Sequence, residues 1–412
     1  MATRRQVLTS MGGVAVLAAC GEATSGEPGK QTTPDAPDGL IVAATRAGLV
    51  TVNGDRRIEH GPAAVLSGDG DRVYAATVDG SATTLVTTDL HTGADVGRVR
   101  LAGAWTPRVV GPTGGFAAFT PPDPAGSTAG TVPAGRTHTP VLIAAPTGEL
   151  HRLDLPGNVA PDAVSVDGAA LFVLEWLPAQ SPERYRVRMV DLPDGAPKPL
   201  LTRDKVPVPA EEEMRGEGRQ AVLSPNGQVL YTLYTHQPDH QHTRDIVAGR
   251  PGGAHAFVHV LHLLGRWAYC LDLPDPFGHG PAAGHAIALR PDGRQLLVAD
   301  LTGGRLAVAD TETLTVTQVL AVPTASGPAG LAATQVRTFL GADGNVAVVD
   351  HGSGSTTPWW KAPGEIRGLR VDGAGSRLAV ADPGGVTWVR LDTGKPAGRV
   401  PVDGLTDLVH AA

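Results

Sequence analysis

Eight of the chain's 14 histidines, His236, His240, His242, His255, His259, His262, His279 and His285, fall within one stretch of the sequence. Imidazole is a good ligand for Zn or Cu, and a His-x-His pair such as His240-Gln241-His242 can offer two donors together. Cys270 follows close behind as a soft donor. The metal-ligating candidates are therefore His236, His240, His242, His255, His259 and Cys270. Against this set, alternation along a strand puts His255 and His259 on one face and His262 on the other, so these three cannot all converge. No HExxH or CxxC spacing completes a coordination set. Scattered polar and loop histidines are the first reading, with no cofactor, and a Zn or Cu site is its rival.

Other chemistry is hard to find. The chain has no G-x-S-x-G elbow, no Walker A loop, no G-x-G-x-x-G opening a helix and no calcium loop. Glu211-Glu212-Glu213 reads as a solvated linker ahead of the histidine-rich unit. Cys270 lies among apolar neighbours in Trp267-Ala268-Tyr269-Cys270-Leu271 and reads as a buried, inert thiol. In Trp359-Trp360, alternation points one ring outward; packing against the adjacent blade is the first reading and an exposed contact point its rival. No residue is assigned a catalytic role, and the chain reads as a non-enzyme.

The elements that carry these residues are strands. Gly 53 and Pro 35 among 412 residues, with only 18% charged, favour many turns and few surface helices. Short Val/Leu/Ala/Thr runs end repeatedly in Asp-Gly, Asn-Gly or Thr-Gly, the spelling of a tight hairpin with positive φ. Ser67 to Ala76, Ser224 to Tyr231 and Arg290 to Val298 are copies of one such hairpin, with marker glycines Gly70, Gly168, Gly227, Gly293 and Gly373 and a weaker copy at Gly114. Runs such as Leu306-Ala307-Val308-Ala309-Asp310 and Asn345 to Asp350 close on an aspartate, which reads as a turn former.

The spacing gives a base period of roughly 40 to 45 residues, the mark of four strands per unit in a β-propeller. The stretches SPNGQVLYTL and RPDGRQLLVADLTGGRLAVAD resemble the YVTN and WD40-like propeller families, without the Gly-His and Trp-Asp pair of true WD40 repeats. The resemblance implies the architecture alone. Seven units start near Ala63, Pro107, Asp162, Gln220, His285, Gly330 and Arg367. An eighth is composite, with Leu405 to His410 as inner strand beside Leu40 to Thr45 and Leu49 to Val52. The fold class is all-β, a propeller of four-stranded blades, with eight blades favoured over seven.

The N-terminus points to export. Arg4 and Arg5 precede a short apolar run, Val7 to Ala19, that falls below the about 20 residues needed to span a bilayer. Thr3-Arg4-Arg5-Gln6-Val7-Leu8 resembles the twin-arginine export motif, and Leu17-Ala18-Ala19-Cys20 resembles a bacterial lipobox. The resemblance implies that Cys20 is acylated and that the protein is anchored by lipid to the outer face of the cytoplasmic membrane. The expected layout is a signal peptide over 1–19, a lipidated cysteine and tether over 20–38, and a propeller over 39–412. The tether lacks aromatic and β-branched aliphatic residues, so it has little apolar surface to bury.

With 34 basic against 41 acidic residues the net charge is −7, and nothing suggests a phosphate-binding stripe. Nucleic acid is excluded as a partner. Long inserts, Thr120 to His138 and Gln237 to Ala254, fall between the second and third strands of their units and should crown one face. The expectation is a monomeric extracytoplasmic binding or scaffold module that meets a protein, peptide or glycan on that face. The alternative is a propeller enzyme or metal carrier built on the histidine-rich insertion.

Overall fold

The computed structural model describes residues 39–123, 132–215, 219–238 and 240–412 of the 412-residue chain. The export signal, Arg4, Arg5, Cys20 and the tether lie outside the described residues. No helix among the described residues is long and apolar enough to cross a membrane.

The chain forms an eight-bladed β-propeller. Blades 1 to 7 open with the inner strands Ala64–Leu66, Thr106–Val110, Asn158–Val164, Arg219–Leu223, His285–Leu289, Gly330–Ala333 and Gly368–Val371. Their later strands follow in chain order by antiparallel hairpins. Blade 8 is the composite expected from the sequence. The C-terminal strand Leu405–Ala411 is its inner strand and pairs with Leu40–Thr45, followed outward by Gly48–Asn53 and Arg56–Gly61. Tying both chain ends into one sheet leaves no open edge between the first and last blades.

The strands read as continuous apolar runs because each blade is covered on both sides. Ala117 and Phe119 pack with blade 1, whereas Ala118 between them packs with blade 3. The same alternation recurs around the ring, and the described residues form eight buried clusters, one at each interface between neighbouring blades. A sheet buried on both faces has no polar side to show in its sequence.

The hairpin chemistry is as the spelling implies, with one correction. Ser224 Oγ accepts the Val229 N–H at 2.9 Å and donates to Asn226 Oδ1 at 2.7 Å, while Gly227 sits at φ 70°. In blade 7 the residue with positive φ is Gly375 and not Gly373, because Asp372 takes the serine's place and receives the N–H groups of Ser376 and Arg377. The strand-closing aspartates are turn formers: Asp310 Oδ1 accepts the Thr313 N–H at 2.7 Å, and Asp350 Oδ1 accepts that of Ser353 at 2.9 Å.

Blade 4 departs from the pattern. The linker from blade 3 adds a fifth strand, Leu201–Thr202, parallel to the outer strand Trp267–Asp272. It then runs back along blade 3, where Tyr185 and Met214 exchange backbone hydrogen bonds at 2.7 and 2.9 Å. This detour carries Glu212 into the gap between blades 3 and 4, while Glu211 stays exposed. The insertion after Tyr234 folds over the same gap and contains the short helix Thr243–Ala248.

Candidate metal centre

The gap between blades 3 and 4 holds four converging side chains: Glu212, His240, His242 and Cys270. Each offers one ligand atom, and these atoms all lie within 4.8 Å of one another. All four residues are buried, with exposures of 7, 5, 3 and 5%. This is the one group of three or more metal-competent side chains among the described residues.

Each donor comes from a different local device. Cys270 sits on the outer strand Trp267–Asp272, two residues before Asp272. His240 and His242 lie on the insertion, which is pinched at its base by Gln237, whose N–H bonds His255 O at 3.0 Å. Phe257, the first residue of the third strand, forms their wall: the His240 ring stacks on it at 4.5 Å and the His242 ring meets it edge-on at 4.8 Å. His242 is also the residue before the helix, and the N–H of Thr243 bonds Glu212 Oε2 at 2.6 Å. The Thr243 hydroxyl donates to the same oxygen. Glu212 Oε1 is left toward Cys270, whose thiol donates to it at 3.5 Å.

Outer partners fix the two imidazoles. His240 Nδ1 lies 2.9 Å from the carbonyl oxygen of Glu213, and a carbonyl can only accept, so Nδ1 carries the hydrogen. His242 Nε2 lies 2.6 Å from Asp272 Oδ1. Burial pushes the Asp272 carboxyl up, but hydrogen bonds and charge from His242 and Arg244 outweigh it, and the group stays below its usual range. Asp272 is therefore an acceptor and His242 Nε2 its donor. His240 Nε2 and His242 Nδ1 both turn inward and face each other across 3.1 Å. Burial, reinforced by the neighbouring His242, lowers the His240 pKa to about 4, so at neutral pH its Nε2 offers a lone pair. Burial, with Glu212 adding to it, pushes the Cys270 thiol well above its usual range.

Two imidazoles, a thiol and a carboxylate around one point match the donor types and the number of a four-coordinate Zn-type site. Asp272 on His242 and the Glu213 carbonyl on His240 are the outer hydrogen bonds that orient ligating histidines.

The structure separates the candidates sharply. Of the six named from sequence, it brings together His240, His242 and Cys270 and leaves out the others. His236 is tied to the Thr235 hydroxyl at 2.9 Å. His255 precedes the strand it was expected to share with His259, and its ring stacks on His279 at 3.9 Å. His259 is the cross-strand neighbour of Cys270, is buried, and has its pKa lowered to about 4 by that burial, but it stands outside the four. Cys270 is buried as expected, but its surroundings are polar as well as apolar. Glu212 does lie on a linker, but the expectation that it is solvated is overturned, because the Tyr185–Met214 bridge draws it inward. Its sequence carries no signal of this, since the partner residues lie 28 to 58 positions away. The Trp359-Trp360 pair packs against the adjacent blade as expected: both rings are half-buried against the core of blades 6 and 7, and Trp359 packs on Phe339 at 5.1 Å.

No protein-family model matches the chain, and no curated protein matches it in sequence. Among solved structures, it is similar to apo AztD from Citrobacter koseri, with TM-score 0.54 and 12% identity over 91% of this chain and 97% of that one. It is also similar to the dihydro-heme d1 dehydrogenase NirN, with TM-score 0.50 and 13% identity over 92% of this chain and 77% of that one. At these identities the likeness shows the propeller fold alone.

Proposed function

We propose that this propeller binds a transition-metal cation between blades 3 and 4 through Glu212, His240, His242 and Cys270, as a metal-holding protein and not as an enzyme. The observation that carries the reading is the convergence of four buried ligand atoms within 4.8 Å of one another, with His240 Nε2 and His242 Nδ1 turned inward 3.1 Å apart. A cation between the two inward nitrogens takes a bond from each and displaces any proton they share. Four protein donors fill a tetrahedral shell, which is the closed arrangement of a holding site; catalytic zinc keeps a position for water.

Elemental analysis of the purified protein after zinc loading tests this. One tightly held metal per chain, lost in a His240→Ala/His242→Ala variant that keeps its β-sheet circular dichroism, is the expected result. Chelator-labile metal that binds equally to the variant would overturn it.

A second reading is supported by the two inserts, which both connect second to third strands, after Thr120 in blade 2 and after Tyr234 in blade 4, and so share one end of the ring. On this reading that face meets a protein, peptide or glycan, and Arg4, Arg5 and Cys20 direct the protein to a lipid-anchored position outside the cytoplasmic membrane. Intact-mass analysis of the mature N-terminus checks the anchor: a diacylglyceryl-modified Cys20 supports it, and an unmodified N-terminus refutes it.

A further inference from the structure

This inference rests on the metal reading above. We infer that Glu212 sets the charge of the centre and matches it to a divalent cation of the zinc class, at the expense of univalent copper.

The donor set contains two neutral imidazoles, a thiol and a carboxylate. When a divalent cation enters, the Cys270 S–H bond breaks, a sulfur–metal bond forms, and the proton leaves to solvent; no electron moves. Thiolate and carboxylate together then cancel the two positive charges, and a neutral centre sits in a site whose residues are all less than a tenth exposed. Univalent copper in the same shell leaves one uncompensated negative charge in a buried place, which is costly. Two arginines that reach residues next to the site are already paired with carboxylates. Arg244 is paired with Asp272 and also donates to Cys270 O at 2.9 Å, and Arg184 is paired with Glu213 at 2.5 Å.

Glu212 is placed to act through charge. Its Oε2 is committed to the N–H and hydroxyl of Thr243, so the carboxylate cannot swing away without releasing the start of the helix, and Oε1 is the oxygen that faces Cys270. A glutamine at this position can keep the Thr243 contacts through its carbonyl oxygen. It then presents an uncharged NH2 group where the carboxylate oxygen stood. Oxygen donors also suit univalent copper poorly, whereas thiolate and imidazole suit both metals.

The experiment measures zinc(II) and, anaerobically, copper(I) affinity by chelator competition on the full-length protein and its Glu212→Gln and Glu212→Asp variants. Cobalt(II) thiolate charge-transfer absorption serves as the check that Cys270 and the site remain assembled. Glu212→Gln is expected to weaken zinc about 100-fold or more, while copper(I) changes less than about threefold or tightens. Glu212→Asp, which keeps the charge, should hold the zinc-to-copper ratio near wild type even if both metals weaken. Equal weakening of both metals in Glu212→Gln would make Glu212 a fastener of the insertion and overturn the inference, as would unchanged zinc affinity. Wild-type protein that binds neither metal would instead bring down the metal reading itself.

Discussion

Arg219 and Asp162, on the inner strands of blades 4 and 3, form an ion pair with Nη2 2.5 Å from Oδ1 and side chains only 8 and 5% exposed. Arg219 Nε also donates to the Tyr234 hydroxyl at 3.2 Å. Burial works against the guanidinium's charge, but Asp162 outweighs it and holds Arg219 above its usual range. The pair joins the two blades that frame the candidate metal centre. Removing Asp162 alone strands a buried charge, so Asp162→Ala should destabilise the protein by about 3–5 kcal/mol. Asp162→Leu/Arg219→Leu should recover most of that, as read by urea denaturation.

Zinc should stabilise the fold, because the four donors lie on the linker, the insertion and the outer strand of blade 4 and meet only in the native state. At free zinc 100 times the Kd the gain is about 2.7 kcal/mol. Thermal unfolding with and without zinc measures it. The shift should vanish in Cys270→Ala, whereas His255→Ala should retain it, since that ring stacks on His279 outside the centre.

Stability should fall in acid partly through Asp382. Burial pushes this carboxyl up, but hydrogen bonds from Arg399, at 2.7 Å to each oxygen, and from the Gly384 N–H outweigh it, so its folded pKa is depressed. A depressed carboxylate stabilises above its unfolded pKa of about 3.9, and the contribution is lost as pH falls through the lower folded value. Urea midpoints measured downward from neutral pH should therefore drop more steeply for wild type than for Asp382→Asn.

Two glycines of blade 8 should differ in their tolerance. Both have positive φ, +131° at Gly48 and +57° at Gly54. A Cβ at Gly48 would lie 2.1 Å from the carbonyl carbon and oxygen of Gly61, whereas one at Gly54 meets nothing within 4 Å. Gly54→Ala should cost only the left-handed strain, about 1–2 kcal/mol. Gly48→Ala must in addition push the two strands apart, so its urea midpoint should fall well below that of Gly54→Ala.

The architecture was legible in the sequence because its causes are local. The turns after Ser67 and Ser224 and the Asp310 and Asp350 closures are each written within a few residues, and the apolar runs between them need only count to reach eight blades. The pairing of Leu405–Ala411 with Leu40–Thr45 was readable too, as a leftover inner strand and a leftover set of outer ones. Three of the four donors of the candidate centre were equally visible: the His240-Gln241-His242 spacing and Cys270 needed no tertiary information to be noticed. Only the fold decided that these three meet, that His236, His255 and His259 do not, and that Glu212 joins them. A ligand shell drawn from a linker, an insertion and an outer strand depends on the path of the chain between blades, and that path is set by the Tyr185–Met214 bridge and the Thr243 contacts with Glu212. Such contacts join residues far apart in sequence, so no spacing rule records them.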